Sequence, residues 1–216
     1  MKLLVFGATG LVGSSLIEQL SKEHEVSIAL RDTSKVNNPK FIKRSINFDD
    51  FGSFAPTSYD GVYCCLGTTI KTAGSKAAFK KVDLDYVVKS FQYAVNNNAK
   101  FFCVISALGA NPNSRVFYSR VKGEMENALD APIKTIIVRP SLLIGKRDES
   151  RIAEGMALAL MSPFSKVLPK VLGKYAPIKA EDVAKSMIDL TLHESTQIKI
   201  DHLVKSKQQE HHSQKV

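Results

Sequence analysis

The feature that most restricts the fold is an apolar run followed by three spaced glycines and a helical pattern. Leu3–Phe6 is unbroken in its apolar character and predicts a buried strand. Gly7, Gly10 and Gly13 follow it, and helical periodicity continues to about Ser21. Gly7 permits a tight turn at the end of the strand, Gly10 lets the backbone approach a pyrophosphate, and Gly13 lets the helix pack closely on the sheet. We predict a dinucleotide-binding loop rather than the alternative, a glycine-rich turn without a ligand. Its binding residues are expected to be Gly7, Thr9, Gly10, Leu11, Val12 and Gly13.

Short apolar runs alternate with helical patterns along the rest of the chain. Strands are predicted at Leu3–Phe6, Val26–Leu30, within Phe41–Phe48, and at Val62–Leu66, Phe101–Ser106, Thr135–Arg139 and about 197–201. Helices are predicted at about 11–21, along the apolar stripe from Leu84 to Val95, and at about 115–129, 151–161 and 181–193. This alternation predicts an α/β fold, a doubly wound and mostly parallel sheet (Rossmann fold) with a small C-terminal substrate-side extension. We expect one domain over 1–204, with substrate-side elements mainly in 145–204, and a frayed polar tail over 205–216.

Composition argues against several classes of protein. The net charge is +9, but the basic residues form no run, so we expect no nucleic-acid partner and, at most, attraction for an anionic ligand. No stretch approaches the ~18 consecutive apolar residues of a spanning helix, so no membrane insertion is expected. The three cysteines give neither a disulfide framework nor metal-ligand spacing, and the tail pair His211–His212 is expected to be solvated. We therefore expect a cytoplasmic protein with no metal site.

The end of the second predicted strand carries residues that select the nucleotide. In dinucleotide-binding folds an acidic residue at this place binds the ribose 2′-hydroxyl, whereas an arginine accommodates a 2′-phosphate. This chain has Arg31 first, then Asp32, with Lys35 nearby. We predict that Arg31 binds the cofactor and that NADP(H) is preferred. NAD(H) remains the alternative, because Asp32 can turn towards the ribose.

A tyrosine and a lysine lie four residues apart on one predicted helix. Tyr118 and Lys122 therefore share a helix face. Chance alone produces such a pair in a chain of this composition, so its context decides its meaning. Ser106 ends the fifth predicted strand twelve positions before Tyr118, which brings all three residues to the ligand-binding edge of the sheet.

Together with the glycine loop, Ser106, Tyr118 and Lys122 resemble a short-chain dehydrogenase/reductase. The resemblance is greater to the small atypical members related to the Tat-interacting oxidoreductase proteins, and it covers most of residues 2–190. The segments that carry it are Gly7–Gly13, Cys64–Thr69, Val82–Tyr86, Tyr118–Lys122, Arg139–Ser141 and Arg147–Arg151, of which Cys64–Thr69 is the most specific and the glycine loop the least.

The resemblance implies a proton relay at this site. Tyr118 would be the general acid/base, with its phenolate favoured by the Lys122 ammonium. Lys122 would also hydrogen-bond the nicotinamide ribose, and Ser106 would orient and polarise a substrate carbonyl. The cofactor would further be lined by Leu66, Gly67 and Thr68 after strand four and by Pro140, Ser141 and Leu142 after strand six.

Some positions depart from the family pattern or have more than one interpretation. Related proteins often end strand five with Ser-Ser, but the second position here is Ala107, and the triad is incomplete if that second hydroxyl is the catalytic one. Asn47 or Asp49 occupies the place where an aspartate commonly meets the adenine. Arg147–Arg151 is either a charged loop or a pair of arginines that holds an acidic substrate group. Cys65 is expected to be a packing residue, with a reactive thiol as the alternative.

The sequence therefore predicts an NADP(H)-dependent oxidoreductase that acts on an unidentified small carbonyl or alcohol. The alternative is a non-catalytic NADP(H)-binding regulatory or redox-sensing protein, whose protein partners would change with the bound nucleotide. The presence of Ser106, Tyr118 and Lys122 together favours the enzyme, since a sensor has no need of a paired tyrosine and lysine.

Overall fold

The computed structural model describes residues 1–144, 176–192 and 204–207. Its strands are β1 (Lys2–Phe6), β2 (Glu25–Leu30), β3 (Phe41–Ser45), β4 (Gly61–Cys64), β5 (Phe101–Ile105), β6 (Lys134–Val138), β7 (Leu143–Ile144), β8 (Ile178–Lys179) and β9 (Val204–Lys207). One sheet has the order β3-β2-β1-β4-β5-β6-β9, and β7 pairs with β8 separately. The first six strands of the sheet are parallel, whereas β9 is antiparallel to β6. The strand order reverses between β1 and β4, which creates a crevice at the carboxyl ends of the strands.

Helices cover both faces of this sheet. They are α1 (Leu11–Leu20), α2 (Ile70–Ala73), α3 (Lys76–Lys80), α4 (Tyr86–Asn96), α5 (Phe117–Ala128) and α6 (Ala180–Leu192). Side chains alternate across a strand, so Leu3 and Val5 pack with α1 and α6, while Leu4 and Phe6 pack with α4 and α5. The predicted doubly wound, mostly parallel α/β fold is confirmed.

A π-helical segment precedes α4. The apolar stripe predicts a regular helix from about Leu84, but Lys81–Asp85 forms the wider π turn between α3 and α4. Asp83 lies in this segment with 1% of its surface exposed. A π turn shifts the phase of a helix locally and is frequent at functional sites, so it turns inward a carboxylate that the stripe pattern leaves unassigned.

The C-terminal part differs from the sequence prediction. The strand expected near 197–201 lies outside the described residues, and the strand described there is β9 instead. Lys205–Lys207, assigned above to the frayed tail, pair with Thr135–Ile137 of β6. Strand pairing provides backbone hydrogen bonds that composition alone does not reveal, and β9 extends across the predicted boundary at residue 204. The predicted helix at 151–161, Arg147–Arg151 and the pair His211–His212 lie outside the described residues.

Candidate active site

Three adjoining cavities lie at the carboxyl ends of the strands. The large cavity has a volume of about 750 Å³, the second about 470 Å³ and the third about 90 Å³. The large and second cavities share Gly10, Leu66, Gly67 and Thr68, and the second and third share Gly7, Thr9 and Arg31. The cavities therefore form a continuous cleft. The predicted site residues on the large cavity are Gly10, Leu11, Val12, Leu66, Gly67, Thr68, Ser106, Tyr118, Lys122, Pro140, Ser141 and Leu142.

The glycine loop has the close packing that a phosphate cradle requires. Gly7 has a φ of +78°, and a Cβ there would lie 2.5 Å from the carbonyl carbon of Cys65. A Cβ at Gly10 would lie 3.2 Å from the Gly7 oxygen, on the wall shared by two cavities. Gly10 is the N-cap of α1 and makes no side-chain cap, and the first turn of α1 holds no acidic residue. Unpaired amides at an uncapped helix end suit a diphosphate, so these residues fit a dinucleotide cofactor.

Gly13 has a different position from the one expected of a binding residue. It lines none of the three cavities. A Cβ there would lie 2.1 Å from the Gly7 carbonyl oxygen, so only glycine permits this contact between α1 and the loop. This contact is the close packing of helix on sheet that the spacing of the three glycines predicts.

The third cavity contains the residues expected to select the nucleotide. Arg31, Asp32 and Lys35 all line it. The Asp32 carboxylate accepts hydrogen bonds from the Ser34 amide at 3.0 Å and the Ser34 hydroxyl at 2.6 Å. These bonds lower the pKa of Asp32, the hydroxyl bond having the larger effect. The carboxylate therefore has local partners, whereas Arg31 also reaches the second cavity.

Neither candidate for the adenine contact lines the cleft. The Asp49 carboxylate accepts from the Tyr86 hydroxyl at 2.7 Å and pairs with Lys81 at 2.6 Å. Asn47 accepts from the Asp49 amide at 3.0 Å. Phe48, which lies between them in sequence, lines the second cavity together with Tyr86. Aromatic side chains therefore line the cleft where an acidic contact was expected, because local hydrogen bonds hold the Asn47 and Asp49 side chains away from it.

Tyr118 and Lys122 both line the large cavity but differ in exposure. Two contacts fix α5 against the loop before it. The Asn111 amide donates a hydrogen bond to the Ser119 carbonyl. Gly123 packs against Pro112 so closely that a Cβ on Gly123 would lie 2.2 Å from the Pro112 nitrogen. Tyr118 remains 39% exposed, whereas Lys122 is 3% exposed. The helix therefore presents the phenol at the cavity surface and the ammonium in its wall.

Lys122 is paired with a carboxylate that the sequence analysis did not select. Its Nζ lies 2.7 Å from Asp83 Oδ1, and Asp83 Oδ2 accepts the Thr68 amide at 2.9 Å. Burial lowers the pKa of Lys122, but Asp83 and Tyr118 more than offset this, and the pKa is raised overall. The sequence offered one signal, an aspartate directly before the apolar stripe that begins at Leu84, but it gave no indication of the partner of that aspartate.

Burial and two neighbouring charges act on the pKa of Tyr118. Loss of hydration raises the pKa of Tyr118, Lys122 lowers it, and Asp83 raises it again, so the pKa is raised overall. Lys122 therefore acts on the phenolate in the predicted direction, but burial and Asp83 together outweigh the ammonium.

Ser106 is placed as expected, but its hydroxyl has a partner in the protein. It is 3% exposed and donates to Glu126 Oε1 at 2.6 Å. Arg139 Nε donates to the same oxygen at 2.8 Å, and a second Arg139 nitrogen pairs with Glu126 Oε2. Because the Ser106 hydroxyl donates its proton to this hydrogen bond with Glu126, Ser106 presents only an acceptor oxygen to a ligand in the cavity. Polarising a carbonyl requires the hydroxyl to rotate.

The cysteines and the segment after β6 complete the cavity wall. Cys65 lines the large cavity, and burial raises its pKa well above the ordinary value, which argues against a reactive thiolate. Cys64 and Cys103 are buried in the cores on opposite faces of the sheet. Ser141 lies beside Leu142 on the cavity wall and donates to the Ala176 carbonyl at 2.5 Å. Within residues 1–144 and 176–192, no three potential ligands are grouped to hold a metal ion, and no helix has the length and apolarity to cross a bilayer.

Relatives of known name share most of the chain. Protein FMP52 of Candida albicans is 30% identical over 203 residues, which are 88% of this chain and 87% of that protein. Protein FMP52 of Debaryomyces hansenii is 29% identical and covers 95% of this chain and 99% of its own. Protein HTATIP2 of Rattus norvegicus is 31% identical over 163 residues, 71% of this chain and 67% of that protein. No protein-family model matches the chain.

Solved structures share the fold at low identity. UDP-glucose 4-epimerase of Thermotoga maritima superposes with a TM-score of 0.68 at 16% identity, covering 89% of this chain and 74% of its own. The enzyme WbmH of Bordetella bronchiseptica, solved with NAD+, superposes with a TM-score of 0.61 at 15% identity, covering 87% and 70%. These likenesses support the fold alone.

The relatives also correct one expectation and confirm another. Both FMP52 proteins are named as mitochondrial, which contradicts the cytoplasmic location predicted from the cysteine content. Cysteine usage reports only a reducing environment and does not identify a compartment. The resemblance inferred from the sequence motifs is confirmed by the identity to FMP52 and HTATIP2. The chain belongs to the FMP52 and HTATIP2 family of atypical short-chain dehydrogenase/reductases, with their NAD(P)-binding oxidoreductase fold.

Proposed function

We propose that the protein is an NADP(H)-dependent oxidoreductase that interconverts a small, uncharged carbonyl compound and its alcohol. One observation carries this proposal: a single cavity of about 750 Å³ is lined both by the amino end of α1 and by Ser106, Tyr118 and Lys122. A phosphate cradle and a proton-transfer pair in one cavity match the needs of hydride transfer, in which a proton must reach or leave the substrate oxygen.

The residues of the chain have separate roles in this reaction. NADP(H), when bound, supplies or accepts the hydride at the substrate carbon. In the reductive direction the Tyr118 hydroxyl gives its proton to the substrate oxygen, and in the oxidative direction the phenolate accepts it. Lys122 holds a positive charge beneath Tyr118 and would bind the nicotinamide ribose. Because the pKa of Tyr118 is raised above its ordinary value, the hydroxyl is protonated near neutral pH and is present as the proton donor for reduction.

The lining of the large cavity supports an uncharged substrate. Among the residues described, the polar lining consists mainly of hydroxyls, and the cation Lys122 is already paired with Asp83. An acidic substrate group would therefore meet no unpaired cation on this part of the wall. Segment Arg147–Arg151, the other candidate for such a group, lies outside the described residues.

The preference for NADP(H) is supported by the two residues after β2. Asp32 is bonded to Ser34, whereas Arg31 lines both cavities at that end of the cleft. Calorimetric titration tests the preference. We expect NADPH to bind about 10- to 100-fold more tightly than NADH, since a charge-assisted hydrogen bond contributes about 1.5–3 kcal/mol. Arg31→Ala should remove the difference, and the exposed control Arg115→Ala should keep it. Equal affinities in the wild type would contradict the preference.

Tyr118→Phe tests the catalytic role. Aldehydes, ketones and quinones would be screened for oxidation of NADPH, and the variant compared on any active compound. We expect a loss of about 100-fold or more in turnover with unchanged NADPH affinity. Tyr93→Phe is the matched control, because the Tyr93 hydroxyl donates to the Ala55 carbonyl, away from the cleft. Unchanged turnover in Tyr118→Phe would refute the relay.

A second candidate is a non-catalytic NADP(H)-binding regulator. Two observations favour it: Ala107 lacks a hydroxyl, and the Ser106 proton is used by Glu126. Tight NADPH binding without turnover on the panel, together with protein partners that change when nucleotide is added, would support the regulator. Identical partners with and without nucleotide would argue against it.

The names of the FMP52 relatives support a mitochondrial location for this chain. Fractionation of the native cells, with detection of the protein in washed mitochondria, tests this proposal. Recovery only in the soluble cytosolic fraction would overturn it.

A further inference from the structure

The ion pair in the wall of the large cavity joins two elements that are distant in sequence. Lys122 belongs to α5 and Asp83 to the π-helical segment, and both are almost fully buried, at 3% and 1% exposure. The second Asp83 oxygen accepts the Thr68 amide from the loop after β4. Asp83 therefore fixes the ammonium to two elements of the cavity wall at once.

Among the residues that the structure describes, few other titratable groups face this pair. Tyr118 approaches Lys122 from one turn earlier on α5, and Cys64 approaches from β4. Burial raises the pKa of Cys64 to about 12, so this thiol is uncharged below that pH. Phe79 of α3 packs against the Tyr118 ring, with centroids 5.7 Å apart, and carries no charge. Lys80 and Glu124 neutralise each other on the outer surface at 2.9 Å. The charges that act on Tyr118 are therefore mainly those of Lys122 and Asp83.

We infer that Asp83 is a positioning residue of the Tyr118–Lys122 pair, because its carboxylate holds the Lys122 ammonium in the cavity wall and offsets the positive charge beside the Tyr118 hydroxyl. This role rests on the proposed function. It assigns to Asp83 an action through Lys122 rather than a direct part in proton transfer. The consequence is a higher pKa for the Tyr118 hydroxyl than Lys122 alone would give it, so that less phenolate forms at a given pH.

Asp83→Asn tests the offset directly. The variant keeps the shape and an oxygen acceptor for Lys122 but removes the negative charge. Tyr118 phenolate is followed by near-ultraviolet absorbance during a pH titration of the cofactor-free protein, after subtraction of the Tyr118→Phe curve. We expect about a tenfold larger phenolate fraction at a given pH below the midpoint, since a neighbouring charge shifts a pKa by about one unit or more. An unchanged curve, or a shift to higher pH, would overturn the inference.

Asp85→Asn is the matched control. Asp85 is exposed, lies two residues away on the same segment, and loses the same formal charge. We expect its titration to follow the wild type. A shift equal to that of Asp83→Asn would overturn the inference, because it would reflect net charge alone.

A double variant keeps the test decisive if Asp83→Asn does not fold. Asp83→Leu with Lys122→Met removes both charges and keeps an apolar fit, a replacement that is often neutral or stabilising for buried ion pairs. If the two charges offset each other, Tyr118 in this variant should titrate close to the wild type. A displacement of the curve by about one pH unit or more would overturn the offset. The titrations need no cofactor, so failure of NADPH binding would contradict the proposed function without affecting this result.

Discussion

Removing the ammonium of Lys122 is expected to destabilise the fold by an amount that its burial sets. Lys122→Met keeps most of the side-chain length but leaves the Asp83 carboxylate, 1% exposed, with the Thr68 amide as its one remaining partner in the described part of the chain. Breaking a buried ion pair on one side costs about 3–5 kcal/mol, because the remaining charge stays desolvated. For a domain of this size, that corresponds to a fall of roughly 6–20 °C in Tm.

The double variant Asp83→Leu with Lys122→Met distinguishes the loss of the ion pair from the cost of leaving the Asp83 carboxylate buried without its cation. It leaves no buried charge at this place, but the Thr68 amide loses its acceptor, at a cost of about 1–3 kcal/mol. We therefore expect the double variant to be more stable than Lys122→Met alone. Urea unfolding measures both changes, with similar m-values as the condition for comparing them.

Lys80→Met provides the surface control for this cycle. It breaks the Lys80–Glu124 pair, whose side chains are 47% and 33% exposed. Exposed pairs contribute about 0–1 kcal/mol, so little change is expected. If Lys122→Met costs no more than Lys80→Met, or if the double variant is less stable than the single one, the burial argument is refuted.

Three further outcomes can be measured on the same protein. Gly13→Ala should destabilise the fold by at least about 1 kcal/mol, because its Cβ would lie 2.1 Å from the Gly7 oxygen. The control Gly52→Ala, whose Cβ would meet the Asp50 side chain at 3.6 Å, should change stability by less than about 0.5 kcal/mol, and equal effects would refute the steric reasoning. Glu126→Gln should lower the free energy of unfolding in urea by about 1.5–3 kcal/mol, because it weakens charged hydrogen bonds from Ser106 and Arg139. The control Glu124→Gln should lower it by less than about 1 kcal/mol, and an equally small effect of Glu126→Gln would contradict the buried network. The contribution of the Lys122 ammonium to stability should be fully present at neutral pH and lost as pH rises through the raised pKa of Lys122. The stability of the wild type should therefore fall towards that of the Lys122→Met variant in strongly alkaline buffer. A constant difference in stability across that range would argue against an ionic contribution.

Local sequence signals were sufficient where one segment determines its own structure. The apolar run Leu3–Phe6 predicts β1 because a strand buried on both faces needs apolar side chains on both. The three spaced glycines predict the loop, since the close contacts at Gly7 and Gly13 exclude any Cβ. The helix that carries Tyr118 and Lys122 was predicted from its periodicity to within about two residues of its described ends. These features depend on neighbours within a few positions, so periodicity and residue type determine them.

Only the tertiary structure decided which distant groups meet. Asp83 and Lys122 are separated by all of α4, all of β5 and the start of α5, and no local pattern indicates that their charges lie 2.7 Å apart. The same holds for Ser106 and Arg139, which follow the paired strands β5 and β6 and both bind Glu126 of α5. Hydrogen bonds and charges act over a few ångströms in space, whatever the separation in sequence. The sequence by itself therefore determined the dinucleotide-type fold and the candidate residues, while packing across the sheet decided their partners and their protonation.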